Sequence, residues 1–288
     1  MDDHSNAADH SPAGEQRDRW SAPTTRKRFL KGAAVAGASA TGLGLLAPAA
    51  LAAGEEPEGS EATKRHEHLR DLTILGAAQI AEALAVTTYT GIIENATWFK
   101  HIAPSSQEYI TAARQEEMSH YLVEESLTKA ASPYSVFYYP EGMFTDAHTT
   151  LNVLCSLEEA FIAAYIVGVR DFSTVNLKMT AARILGVESE HRTLARVLGP
   201  EVPKRFGGPI ESLATFGGPE ESVNPANNYG YERTLLLPDI KAAVEALEPF
   251  AVQSVAEKAG YDVSNGYPFV PFTPTLPSPL GEFNSFKG

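Results

Sequence analysis

Two short words in the chain set a glutamate three residues before a histidine: RQEEMSHY, with Glu117 and His120, and VESEHR, with Glu188 and His191. On a helix, residues three apart share a face, so each word can offer a carboxylate and an imidazole to one point. With 27 Glu and 8 His among 288 residues, about one such pair is expected by chance, so the surroundings must decide. In the first word Glu116 stands four residues before His120 and is an alternative partner, but only Glu117 repeats the second word's spacing.

The surroundings are apolar. Around the second word one face reads Leu177, Ala181, Ile184, Glu188, His191, Leu194, Ala195, Leu198. Another helical stripe, Leu151, Leu154, Cys155, Glu158, Phe161, Ile162, Tyr165, Val169, is interrupted only by Glu158, which predicts Glu158 inward and Glu159 outward, beside Asn152, Ser156 and Arg170. Glu82 interrupts Leu75, Ala78, Val86, Tyr89 and Ile93 in the same way. Four buried carboxylates without counter-charge would cost several kcal/mol each. Basic residues are scarce on these faces, and Arg114 alone sits one turn from Glu117. Two divalent cations would balance the four charges, and a set of carboxylates and imidazoles suits iron or manganese. A closed structural zinc site would favour cysteine, and Cys155 is the only one.

Four helices must carry these residues. The periodicity predicts helices from Glu61 to about Lys100, from a cap at Ser105 or Ser106 to about Ala131, from near Asp146 to about Asp171, and from a cap at Ser173 or Thr174 to about Leu198. YSVFYYPEGMF, between Tyr134 and Phe144, has no helical period and reads as a long connection. Extended, the 131–146 segment spans on the order of 45 Å, enough to run the length of a bundle. After Gly199 turn residues dominate. A further helix is expected from Pro238 to about Ala259, then a Pro-rich tail lying across the domain or a neighbouring subunit. No strand-period segment of useful length appears, so the expected class is all-α.

These residues resemble the ferritin-like di-metal carboxylate superfamily, in which two helices give one Glu each and two give Glu-x-x-His. Within it, residues 65–200 look most like the ferritin-like domain family that includes desiccation-related proteins. Tyr89 seven residues after Glu82, Tyr165 seven after Glu158, and the ARILGVESEH run carry that likeness. The resemblance implies a four-helix bundle with a long crossover between its second and third helices. It also implies six metal ligands: Glu117 and Glu188 bridging, Glu82 and Glu158 terminal, His120 and His191 one to each ion. No catalytic group separate from these ligands is expected.

The first fifty residues differ in kind. TTRKRFLKG leads into a run of small apolar residues ending in Ala50-Leu51-Ala52, the layout of an export signal; RKRFLK resembles a twin-arginine signal with Lys27 between Arg26 and Arg28. A membrane anchor is the alternative. The domains expected are a signal at 1–52, a linker at 53–64, the bundle at 65–200 and a C-terminal extension at 201–288. The formal net charge is −13, and residues 1–52 carry six Lys/Arg and five Asp/Glu, so the acidity belongs to the folded part. An acidic surface argues against nucleic-acid partners.

The expectation is thus an exported protein, periplasmic or extracellular in a bacterial-type envelope, handled by export machinery for folded proteins and forming a homo-oligomer. It would hold two iron ions, or alternatively two manganese ions. Three activities are open: an oxidoreductase centre reacting with dioxygen or peroxide, as in iron oxidation or a response to oxidative or desiccation stress; a manganese catalase-like peroxide disproportionation; or a non-catalytic stress or envelope scaffold. For Tyr89, Tyr121 and Tyr165, core packing is the plain alternative to a role beside the ligands. Glu124, one turn beyond His120, is either a partner of the ligands or an exposed acid. His101 and His148 read as core histidines.

Overall fold

The computed structural model of the chain describes residues 60–215, 219–227 and 236–275. The expected export signal lies outside them, as does most of the linker.

Four long helices form the bundle: α1 (Glu61–Asn95), α2 (Pro104–Thr128), α3 (Ala147–Asp171) and α4 (Val175–Leu198). At about 1.5 Å per residue, α1 is about 52 Å long. Their starts are written locally. Ser60 accepts a hydrogen bond from the Thr63 amide at 3.0 Å, Asp146 from Thr149 at 2.9 Å, and Thr174 from Leu177 at 3.3 Å. The start of α2 departs from expectation. Pro104 occupies its first turn and Ala103 precedes it without a side-chain cap, while Ser106 donates instead to Glu201 at 2.9 Å. Helix α1 stops five residues earlier than its periodicity suggested, because Phe99–His101 form a separate 3-10 turn.

Short connections make α1 with α2 and α3 with α4 into two hairpins. The hairpins meet through α1 against α3 and α2 against α4. The chain therefore has the all-α, ferritin-like bundle architecture expected, with the 129–146 segment as its crossover. Apolar side chains form two clusters separated by the carboxylate-bearing layer. One contains Ile74, Leu75, Ala78, Phe172, Ala181 and Ile184; the larger includes Leu84, Ile92, Trp98, Ile110, Met118 and Leu151. Cys155 is buried in the larger cluster, and burial above all pushes its thiol up to about 12.

The crossover is more ordered than its sequence suggested. Val136–Pro140 forms strand β1, which buries Phe137 and Tyr139. Five residues are too few to register as a strand period beside four long helices. The Tyr139 ring packs against Phe144, Phe250 and Tyr267 at centroid distances of 5.3, 6.0 and 5.3 Å. Phe144 in turn lies against Gly91 of α1, where a Cβ would fall 2.4 Å from the ring, so any larger residue here forces the ring to shift.

Beyond α4, strands β2 (Ser212–Ala214) and β3 (Glu220–Ser222) form a small ribbon over α3 and α4. The Ala214 amide donates to Asn152 at 2.7 Å, and the buried Arg196 donates to the carbonyls of Ser222 and Ala226. The expected C-terminal helix is broken at Val252 into α5 (Ile240–Ala251) and α6 (Gln253–Ala259). Strand β4 (Tyr261–Pro268) follows and pairs antiparallel with β1, from Val136 opposite Pro268 to Pro140 opposite Tyr261. The described part of the tail then runs across its own bundle. Phe269 packs on Tyr121 at 4.7 Å, Phe272 lies under the Arg114 guanidinium at 5.1 Å, and the Thr275 amide donates to Gln115 at 2.8 Å.

Candidate metal centre

One side chain or pair from each helix enters the interior at the same level. Helix α1 brings Glu82, α2 brings Glu117 and His120, α3 brings Glu158, and α4 brings Glu188 and His191. All six are buried, and Glu117, Glu158 and Glu188 have no exposed surface. The fold brings these six side chains together in one buried layer.

Their ligand-type atoms fall into two groups, each within 4.8 Å: Glu82, Glu117, His120 and Glu188, and Glu117, Glu158, Glu188 and His191. Glu117 and Glu188 are common to both. His120 Nδ1 lies 3.5 Å from Glu82, 3.2 Å from Glu117 and 3.3 Å from Glu188. His191 Nδ1 lies 2.8 Å from Glu117 and 3.6 Å from Glu188.

Proximity does not satisfy these atoms. Although His191 Nδ1 and Glu117 Oε1 are 2.8 Å apart, neither finds hydrogen-bond geometry among the described residues. The same is true of Glu82 Oε2, Glu158 Oε2 and both oxygens of Glu188. Buried polar atoms are seldom left in this condition. The two histidines lie within ion-pair distance of Glu82, Glu117 and Glu188, while Arg114 turns instead to Phe272. Orphaned oxygens and nitrogens facing one another fit two cations bound among them, and a donor set of carboxylate and imidazole suits iron or manganese alike.

The electrostatics agree. Burial first, then repulsion from Glu188 and Glu117, pushes the Glu82 carboxyl well above its usual range, and Glu158 is raised by burial and the same two neighbours. Burial also acts to raise Glu117, but the adjoining His191 and His120 outweigh it and hold that group low. Burial opposes protonation of His120 and His191, yet the surrounding carboxylates raise both. Without metal, the interior compensates its charge by holding protons.

A ring of partners surrounds the six. Tyr89 donates to Glu158 at 2.6 Å, and Tyr165 contacts both Glu82 and, at 2.7 Å, Glu124. Both hydroxyls thus bond buried carboxylates of the centre rather than merely filling core, while Tyr121 serves the crossover by accepting from the Ser132 amide at 3.1 Å. Glu116, the doubtful neighbour in RQEEMSHY, bonds the far nitrogen of His191 at 2.8 Å, and its side chain is 44% exposed. Its position one residue before Glu117 was the available signal for that role. Glu124 is buried, and burial above all raises its carboxyl.

Two expectations are corrected. Glu159 does not point to solvent: it is buried, on the side of α3 where the β2–β3 ribbon bonds Asn152. His101 is not a core residue but is exposed and stacked on Phe206 at 5.0 Å, whereas His148 is half-buried and bonded to Asn152 at 3.0 Å.

Four helices joined by a crossover, with two Glu-x-x-His words and two single glutamates converging, define the ferritin-like carboxylate-bundle class. Residues 70–199 match the family model of the ferritin-like domain. No curated protein shows a significant match to the chain.

Proposed function

We propose that the protein is an exported, ferritin-like metal-binding protein whose two-metal carboxylate centre reacts with dioxygen or peroxide. The observation that carries the reading is the set of buried, unsatisfied carboxylate and imidazole atoms forming two groups that share Glu117 and Glu188. Glu117 and Glu188 would bridge the two ions, with Glu82 and His120 completing one position and Glu158 and His191 the other. A pair of redox-active ions held there would supply two electrons to one O–O bond. The chain's own part is to hold that pair and its protons. Tyr89 and Tyr165 orient the terminal carboxylates, the two apolar clusters keep bulk water from the layer between them, and Glu116 links His191 to the surface. The RKRFLK segment and the small apolar run after it support export of the folded chain.

The test is metal analysis of protein matured in its own host, followed by anaerobic loading with iron or manganese and exposure to dioxygen or peroxide. Two ions per chain and consumption of the oxidant support the reading; oxygen evolution from peroxide by a manganese-loaded chain assigns disproportionation instead. A metal content near zero, unchanged by Glu188→Ala, overturns it.

A further inference from the structure

The centre has an approximate two-fold pattern. Glu82 with Tyr89 on α1 matches Glu158 with Tyr165 on α3, and Glu117 with His120 on α2 matches Glu188 with His191 on α4. Each tyrosine crosses to the other helix's glutamate. Two acids that bond the centre's side chains have no counterpart across this pattern, and both are on α2. Seven residues beyond Glu117 stands Glu124, whereas seven beyond Glu188 stands Ala195; one residue before Glu117 is Glu116, whereas one before Glu188 is Val187.

The two acids serve opposite halves. Glu116 reaches the surface and bonds His191. Glu124 is 2% exposed and belongs with Tyr165 and Glu82, the half that also holds His120. One oxygen of Glu124 meets the Tyr165 hydroxyl, while the other has no hydrogen-bond partner among the described residues. Packing does not explain this acid, since Ala195 fills the matching position and is fully buried. Tyr165 has a single hydroxyl proton and two carboxylates within reach, whereas Tyr89 serves Glu158 alone. The setting of Glu82 is therefore coupled to Glu124. An additional buried carboxylate also lowers the potential felt by a cation in its own half more than in the other.

Resting on the two-metal reading above, we propose that the two positions are unequal. Glu124 is a positioning residue that, through Tyr165 and Glu82, makes the Glu82–His120 position the first to take a divalent cation. The Glu158–His191 position, whose histidine is tied through Glu116 to the surface, fills second and empties first.

The experiment titrates the metal-free full chain with Co²⁺ under anaerobic conditions, following ligand-field absorption and stoichiometry. The wild type binds two ions in two resolved steps. Glu124→Gln, which keeps volume and hydrogen bonding but removes the charge, weakens the first step by about tenfold or more, the usual cost of losing an outer carboxylate, and spares the second. Glu116→Gln does the reverse. Tyr165→Phe reproduces the Glu124→Gln effect and serves as the test should that variant fail to fold by circular dichroism; Glu124→Asp restores part of the first step. Equal steps in the wild type, or equal weakening of both by Glu124→Gln, overturn this inference while leaving a two-metal site intact. A wild-type chain that binds no Co²⁺ overturns the two-metal reading as well.

Discussion

The Tyr89 hydroxyl, carried by α1, reaches across the bundle to Glu158 of α3 at 2.6 Å. It ties a buried carboxylate to the opposite hairpin, and it exists only because the two helices face each other at the level of the centre. Removing it leaves a buried carboxylate oxygen without its partner. Tyr89→Phe is expected to destabilise the metal-free chain by about 1–3 kcal/mol, measured by urea unfolding. An unchanged midpoint would show that this contact contributes no net stability.

The shared and terminal carboxylates should behave differently on removal. Glu117→Ala or Glu188→Ala deprives both positions of a donor, so metal content by mass spectrometry of the native protein falls to well under one ion per chain. Glu158→Ala takes a donor from the His191 position alone and leaves one ion bound. Equal losses in all three variants would contradict the assignment of Glu117 and Glu188 as common to both positions.

Protons and metal compete. Glu82 and Glu158 are raised above the usual 4.5, and His120 and His191 above the usual 6.5. Each of these groups is shifted toward its protonated form in the metal-free fold, so binding competes with protons there. Metal affinity rises with pH, and calorimetry in buffers of different ionisation enthalpy detects protons released with each ion. The same shifts set the stability of the metal-free chain. Where the folded state binds more protons than the unfolded one, stability declines as pH rises. For the two carboxyls that decline begins above 4.5, and for the histidines above 6.5. Glu117, held low, acts in the opposite sense and only below 4.5, where its contribution is lost as the medium becomes acid. Denaturant midpoints should therefore fall from mildly acid to alkaline pH without metal and much less with it.

At Gly91 the crossover's Phe144 lies directly against α1. Gly91→Ala drives a methyl into the Phe144 ring, and overpacking of this kind costs about 1–3 kcal/mol. The expected result is a lower thermal midpoint with metal stoichiometry retained, since Gly91 lies more than two helical turns from Glu82.

Much of the centre was legible because it violates the helical pattern that carries it. Glu82 and Glu158 are acids on apolar stripes, and the helical faces of Glu117 with His120 and Glu188 with His191 follow from a spacing of three. What escaped depends on neighbours remote in sequence. Glu159 looks exposed on α3 alone, on the side where the remote β2–β3 ribbon bonds Asn152, and Glu116 gains its role only from where α4 presents His191. Strands β1 and β4 are short and far apart in the chain, so neither announces itself alone; each acquires its hydrogen bonds from the other.

That last pairing bears on how the molecule comes into being. Strand β1 leaves the ribosome before α3 and α4, but its partner β4 follows them and two further helices. Until Tyr261–Pro268 has been made, the backbone edge of the crossover lacks its partner strand and the aromatic nest around Tyr139 lacks Tyr267. The nascent bundle can assemble its hairpins in order of synthesis, yet its crossover is sealed last, so completion of the fold reports that translation has passed the C-terminal strand.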